Sequence, residues 1–222
     1  MTRRVLVVAP HPDDESLGAG GTIAKHADRG DTVMILVVSG HLPPLYGPGS
    51  YERTVYEANR AFAGLGVSES RFLEIPTGLI GDQPPGSLNQ RIGDVIEDFR
   101  PDVVLSPFPD RHVDHRLVFE SVMVATRPRG AASGIELLAA YETLSETHWN
   151  APHMEPNFVP NLIIDVTSQI QRKLEAVRCY ESQIAPFPGA RSIDAVEALA
   201  KLRGSQAGFF FGEAFQIIRM TG

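Results

Sequence analysis

Two hydrophobic patterns alternate along the first half of the chain. Val5 to Ala9 (VLVVA) and Thr32 to Val38 (TVMILVV) are almost unbroken apolar runs. A strand with that pattern is covered on both faces, as in a parallel sheet lying between two layers of helices. Between the runs, apolar positions recur at helical spacing. Ser16 to Arg29 is a small-residue stretch closed by Gly30, and Tyr51, Val55, Ala58, Phe62 and Leu65 form a stripe that Gly66 is placed to end. Leu88, Ile92, Val95, Ile96 and Phe99 form another stripe, with Ser87 as its expected N-cap and Pro101 beyond its end. Arg71 to Ile75 and Val103 to Leu105 read as strands, and a helix with Leu117, Val118, Val122 and Ala125 inward follows the second of them.

The last third is less regular. Ile135 to Tyr141, Leu162 to Asp165 and Ala214 to Ile218 read as strands. Ser168 to Ser182 and Ser192 to Leu202 read as helices, the second with Gly204 as its stop. Four β-then-α units in succession predict an α/β fold with a mostly parallel sheet and helices on both faces. No repeat or linker divides the chain, so residues 1–222 are expected to form a single domain.

Composition narrows the partners. The chain carries 20 Lys and Arg against 27 Asp and Glu, a formal net charge of −7. That balance gives no general attraction to phosphodiester backbones or anionic lipid, so no nucleic-acid partner is expected. A single cysteine excludes intrachain disulfides and all-thiolate zinc sites. The apolar run after Arg4 stops at Pro10, too short for a secretion signal, and no stretch reaches membrane-spanning length. A cytoplasmic protein without a membrane span is expected. The Phe209-Phe210-Phe211 run reads as core or, if exposed, as the contact of a homo-oligomer.

The chemistry lies in two segments. His11-Pro12-Asp13-Asp14 follows the first strand, and His112-Val113-Asp114-His115 follows the fourth. In a doubly wound sheet of order 3-2-1-4-5 those two strands are neighbours, and their carboxyl ends open the ligand crevice. Three histidines and three aspartates then meet at one point. His11, Asp14 and His115 offer two imidazoles and a carboxylate, with a position left open for water, which is the arrangement of catalytic zinc. Such a site suits hydrolysis of an amide or ester. Asp13, beside the ligand Asp14 but pointing elsewhere, is free to act as general base. His112, one turn before His115, can stabilise an oxyanion and donate to a leaving amine. Asp114 is placed to hold one imidazole in the required tautomer.

Purely structural readings leave more unexplained. Asp13 and Asp14 as helix caps, and His112 with His115 on a solvated turn, give His11 no role. Gly18, Gly20 and Gly21 are better read as close helix–sheet packing than as a dinucleotide loop, because an acidic segment sits where a pyrophosphate would lie. His26 is expected on the exposed side of its helix, and Cys179 as a small core or boundary residue. His41, Tyr46, His148, Trp149 and His153 lie in loops that can line a pocket.

Pro10-His11-Pro12-Asp13-Asp14-Glu15, then Leu17-Gly18-Ala19-Gly20-Gly21, with His112-Val113-Asp114-His115 downstream, resembles the LmbE/PIG-L family of zinc-dependent N-acetylglucosaminyl deacetylases. The resemblance implies a Rossmann-like fold with its metal site at the carboxyl ends of strands 1 and 4. It implies Zn²⁺, with Fe²⁺ as the other candidate, bound by His11, Asp14 and His115. It also implies Asp13 as base, His112 as the group assisting the oxyanion or leaving group, and Arg53 as a contact for sugar hydroxyls. The substrate implied is a small amino-sugar conjugate. Two other readings use the same residues: a ferrous oxygenase with two histidines and one carboxylate, and a non-catalytic sugar-binding domain.

Overall fold

The computed structural model of the chain describes residues 2–151 and 153–222. The first half runs β1 (Arg4–Ala9), α1 (Asp14–Asp28), β2 (Thr32–Gly40), α2 (Ser50–Leu65), β3 (Glu69–Pro76), α3 (Ser87–Phe99), β4 (Val103–Pro107) and α4 (Val113–Ala125). The second half adds β5 (Leu137–Tyr141), β6 (Leu162–Asp165), α5 (Ile170–Cys179), α6 (Ile193–Ser205) and β7 (Gly212–Met220). All seven strands join one sheet in the order β3-β2-β1-β4-β5-β7-β6. The pairs β2–β3, β1–β2, β1–β4 and β4–β5 are parallel, while β7 runs antiparallel to both of its neighbours.

The unbroken apolar runs follow from two covered faces. Val5 and Val7 of β1, with Val33, Ile35 and Val37 of β2, pack against Ala19 and Ile23 of α1, Ala58 and Phe62 of α2 and Ala176 of α5. Leu6 and Val8, with Met34, Leu36 and Val38, pack on the other face against Ile92 and Ile96 of α3 and Val118 and Val122 of α4. Because side chains alternate between faces, a strand with helices above and below has no position to spare for a polar residue.

The glycines of α1 serve close packing, as the sequence suggested. A Cβ on Gly18 would lie 2.2 Å from Tyr141 Cδ2, and one on Gly21 would lie 2.7 Å from Val166 Cβ. Helix α1 thus rests against β5 and the chain after β6 at a distance no alanine allows. That contact fixes the height of its first turn, where Asp13 and Asp14 sit.

Four local expectations differ from the structure. Helix α5 stops at Cys179 rather than Ser182, because Ser182 N–H and Oγ both donate to Glu57 of α2, at 3.0 and 2.5 Å. Tertiary bonds to a buried carboxylate outbid another turn of helix, and the chain leaves α5 toward the site. Gly204 does not end α6, which runs on to Ser205; its missing Cβ lets Phe209 O approach to within what would be 2.7 Å. Ser87 is the first helical residue of α3, and Gly86, at φ 78°, holds the cap position. His26 is buried, its Nδ1 bonded to Asp31 Oδ2 at 2.7 Å, which braces the turn from α1 into β2. Among the described residues no helix is long and apolar enough to cross a membrane.

Candidate metal centre and catalytic cleft

The adjacency of β1 and β4 brings the two segments together. His11, Asp13 and Asp14 occupy the turn from β1 into α1; Asp110, His112, Asp114 and His115 occupy the end of the β4 loop and the first turn of α4. Ring centroids of His11 and His112 lie 4.6 Å apart, and those of His112 and His115 lie 5.0 Å apart.

Hydrogen bonding distinguishes the three imidazoles. His11 Nε2 is 3.0 Å from Asp114 Oδ2, which also accepts the Gly78 N–H at 2.8 Å. His115 Nδ1 is 3.0 Å from Asp110 Oδ2, which also accepts Thr147 Oγ1 at 2.9 Å. A carboxylate only accepts, so in its neutral form each ring would carry its proton on that outer nitrogen and have its inward nitrogen free to bind a cation. The inward atoms, His11 Nδ1 and His115 Nε2, face the same oxygen, Asp14 Oδ2, at 3.1 and 3.3 Å.

Two ring nitrogens converging on one carboxylate oxygen need positive charge between them, as protons or as a cation. Asp14 Oδ1 and His115 Nε2 are both buried and without a hydrogen-bond partner. Without a metal, protons do the same work. Burial alone would lower the pKa of both rings, yet the carboxylates outweigh it. His11, beside Asp114 and Asp14, is raised to about 8, and His115, beside Asp14 and Asp110, to about 10. Burial would raise Asp14, but the two imidazoles hold it well below its usual range. A field that holds protons so firmly fits a divalent ion bound by nitrogen and oxygen.

His112 is different. Single ligand atoms of His11, His112 and His115 lie within 4.8 Å of one another, so distance alone admits His112 as a third nitrogen ligand. Its Nδ1, however, accepts the Asp114 backbone N–H at 3.1 Å, capping α4. The neutral ring then carries its proton on Nε2, which makes that atom a donor rather than a ligand. Burial, followed by the charges of His11 and His115, lowers its pKa and keeps it neutral. The hydrogen bonds therefore carry more weight than the distance, and His11, Asp14 and His115 are the residues that can hold a metal.

Asp13 occupies the cap position of α1 but caps nothing. Its φ is 124°, and no backbone N–H reaches its side chain. A non-glycine residue held there costs about 1–3 kcal/mol, sustained by surrounding contacts. One such contact is Glu15, which accepts the Asp13 N–H at 3.2 Å and is itself bonded by Ser16 Oγ and Tyr180 Oη. The other is Arg191, whose Nη1 lies 3.0 Å from Asp13 Oδ2. Arg191 Nε also donates to Ser145 Oγ at 3.2 Å, and Ser145 too has a positive φ, 74°. Burial raises the Asp13 pKa to about 7, against the opposing pull of Arg191.

Sequence reasoning assigned no role to Asp110 or Arg191. Asp110 stands two residues before His112, so a carboxylate near a ligand histidine was a local signal. Arg191 had none, because it arrives from the segment between α5 and α6. Arg53 lies apart from the histidine cluster. Its Nε donates to Glu57 Oε1 at 3.2 Å, and it lines a recess of about 250 Å³ with His41, Tyr46, Ser182 and Gln183. His41 and Tyr46 are stacked with ring centroids 4.0 Å apart. His148 is turned away to Glu142 at 3.2 Å.

The family described as PIG-L, GlcNAc-PI de-N-acetylase, matches residues 6–126, just over half of the chain. The diacetylchitobiose deacetylase of Thermococcus kodakarensis is 29% identical, over 97% of this chain and 83% of its own. The 1D-myo-inositol 2-acetamido-2-deoxy-alpha-D-glucopyranoside deacetylase of Acidothermus cellulolyticus is 30% identical, over 83% and 81%. Among solved structures, the conserved protein TT1542 from Thermus thermophilus superposes with a TM-score of 0.79 at 26% identity, covering 100% of this chain and 97% of its own.

Proposed function

The chain belongs to the PIG-L family, and from that premise we propose that it is a metal-dependent hydrolase that removes the N-acetyl group from an N-acetylglucosamine-type conjugate. The observation that carries the reading is the convergence of His11 Nδ1 and His115 Nε2 on Asp14 Oδ2, with a buried carboxylate behind each ring. In this reading His11 Nδ1, His115 Nε2 and Asp14 hold Zn²⁺ or Fe²⁺, and residues 1–222 act as one catalytic domain.

The ion supplies Lewis acidity for a water and for the amide carbonyl when bound. The chain's own groups do the rest. Asp13, with its pKa raised to about 7, accepts the proton of the attacking water. His112 donates its Nε2–H to the oxygen that becomes negative as the carbonyl carbon turns tetrahedral. A neutral His112 whose Nδ1 is occupied by Asp114 N–H has no second proton to give. The proton that Asp13 took therefore returns from Asp13 to the leaving nitrogen, and the C–N bond breaks to give acetate and a free amine. Arg191 keeps the Asp13 carboxylate aimed through both transfers. The hydroxyls of the sugar fall to the polar recess, where Arg53, His41 and Ser182 offer donors and acceptors. The buried carboxylate at Asp13 favours this hydrolysis over oxygenase chemistry, which has no use for a base there.

The test is acetate release across N-acetylglucosamine conjugates by chelator-treated and reconstituted protein. Activity is expected to vanish on chelation and to return with zinc or ferrous ion at about one ion per chain. Undiminished acetate release by ion-free protein would overturn the reading.

A further inference from the structure

Loops commonly run over the surface, where water satisfies their polar groups. The segment that leaves β5 does not. Glu142-Thr143-Leu144-Ser145-Glu146-Thr147 carries five polar side chains, and all six residues are buried. Such a segment must find its hydrogen bonds inside the protein.

Its first residue is an anchor. Glu142 accepts Arg203 Nε and Nη2 of α6, both at 2.7 Å. The turn then closes on itself, with the Thr147 N–H donating to Thr143 O at 3.0 Å.

Thr147 faces the metal side. Its Oγ1 accepts the Thr143 N–H at 2.9 Å, so its own proton is directed to Asp110 Oδ2, also at 2.9 Å. That oxygen is the one beside His115 Nδ1, at 3.0 Å. Asp110 is buried, so a donor lost there leaves an acceptor that bulk water does not reach.

Ser145 faces the base. Its Oγ accepts Arg191 Nε at 3.2 Å and donates to Glu146 Oε1 at 3.1 Å. The far end of the same guanidinium, Nη1, meets Asp13 Oδ2 at 3.0 Å. Ser145 sits at φ 74°, a conformation that a non-glycine residue keeps only where its surroundings hold it.

Thr147 and Ser145 are thus two residues apart on one buried turn, yet they reach different halves of the chemistry. We propose that this turn positions both. The Thr147 hydroxyl sets Asp110 and, through it, the ligand His115; the Ser145 hydroxyl sets Arg191 and, through it, the base Asp13. Neither touches the reacting atoms, so both are positioning residues. The proposal rests on the metal and base assignments of the deacetylase reading above.

Three variants separate the two arms. Thr147→Val keeps the side-chain shape without the hydroxyl, and Thr147→Ser keeps the hydroxyl. Ser145→Gly removes a hydroxyl at a φ that glycine adopts freely. Zinc affinity is read by competition with a chelator, and acetate release is followed across chelator-buffered zinc concentrations. Thr147→Val should bind zinc about tenfold more weakly, with its acetate release recovered once zinc saturates the site. Thr147→Ser should bind zinc as wild type does. Ser145→Gly should also bind zinc as wild type does, yet lose about tenfold in kcat that saturating zinc does not restore. Crystal structures of zinc-loaded protein read this second arm without turnover: the Arg191–Asp13 contact should be present in wild type and lost in Ser145→Gly.

Weakened zinc binding in Ser145→Gly, a deficit in Thr147→Val that saturating zinc leaves in place, or wild-type behaviour of either variant overturns the proposal. So does an Arg191–Asp13 contact that survives in Ser145→Gly. A Thr147→Ser protein as weak for zinc as Thr147→Val would make packing, not the hydroxyl, the cause, and overturns it too. A merely disrupted turn is told apart, since it disturbs both arms at once. If wild-type protein releases no acetate from any conjugate, the deacetylase reading fails alone, and zinc affinity with the crystal contact still decides this one.

Discussion

Asp110 decides what His115 can do. Its carboxylate, held by the His112 N–H at 3.0 Å and by Thr147 Oγ1, lies 3.0 Å from His115 Nδ1, which in the proposed site leaves Nε2 for the metal. Asp110→Ala should therefore keep the fold but weaken metal affinity by about 10–100-fold, read by competition with a chelator of known affinity. Asp114 plays the same part for His11. Arg191 acts on Asp13 instead. Arg191→Ala should leave metal content intact and lower kcat by about 10–100-fold, because a small misplacement of the proposed base is enough. If Arg191 works through Asp13, the double variant Arg191→Ala with Asp13→Asn should lose no more than Asp13→Asn alone; additive losses would assign Arg191 another role. The proposed ligand residues stood out in the sequence because each lies in a short motif after a strand. Arg191 was not, since the ion pair spans from the segment before α6 to the start of α1. A local pattern carries no record of such a contact.

At the scale of elements, α1 carries the most consequence. Its glycines set it against Tyr141 and Val166, and its first turn presents Asp13 and Asp14 to the cleft. Gly18→Ala places a methyl where Tyr141 Cδ2 is 2.2 Å away. Chemical denaturation should show a loss of about 1–3 kcal/mol, with activity falling further as the turn shifts. A variant as stable as wild type would mean that α1 has room the structure does not show. The parallel half of the sheet was readable because buried strands and amphipathic helices differ so plainly in period. The ends of α5 and α6 were not. Ser182 leaves helical geometry to bond Glu57, and Gly204 continues it to admit a returning turn; both depend on partners distant in sequence. The departure at Ser182 also shapes the cleft, since the segment that leaves α5 there carries Gln183 and Arg191.

For the whole molecule, the sheet order puts β1 beside β4, and the candidate ion joins the turn after β1 to the start of α4. An ion held by both ties together parts of the chain that are far apart in sequence. Metal should therefore raise the unfolding free energy by about 3–4 kcal/mol at 100 to 1,000 times its dissociation constant, seen as a higher Tm that chelator removes. A Tm indifferent to chelator would place the ion, if any, outside these residues. The net charge of −7 argued against a nucleic-acid partner without pointing to the site, whereas the strand order that made two motifs neighbours was the step that did.

The central claim is that Asp13 moves the proton while His11, Asp14 and His115 hold the metal. It is tested most directly by measuring metal content and acetate release together in Asp13→Asn protein. The expected result is wild-type metal content with acetate release reduced by about 10²–10⁴-fold. Metal retained with acetate release undiminished would contradict the account.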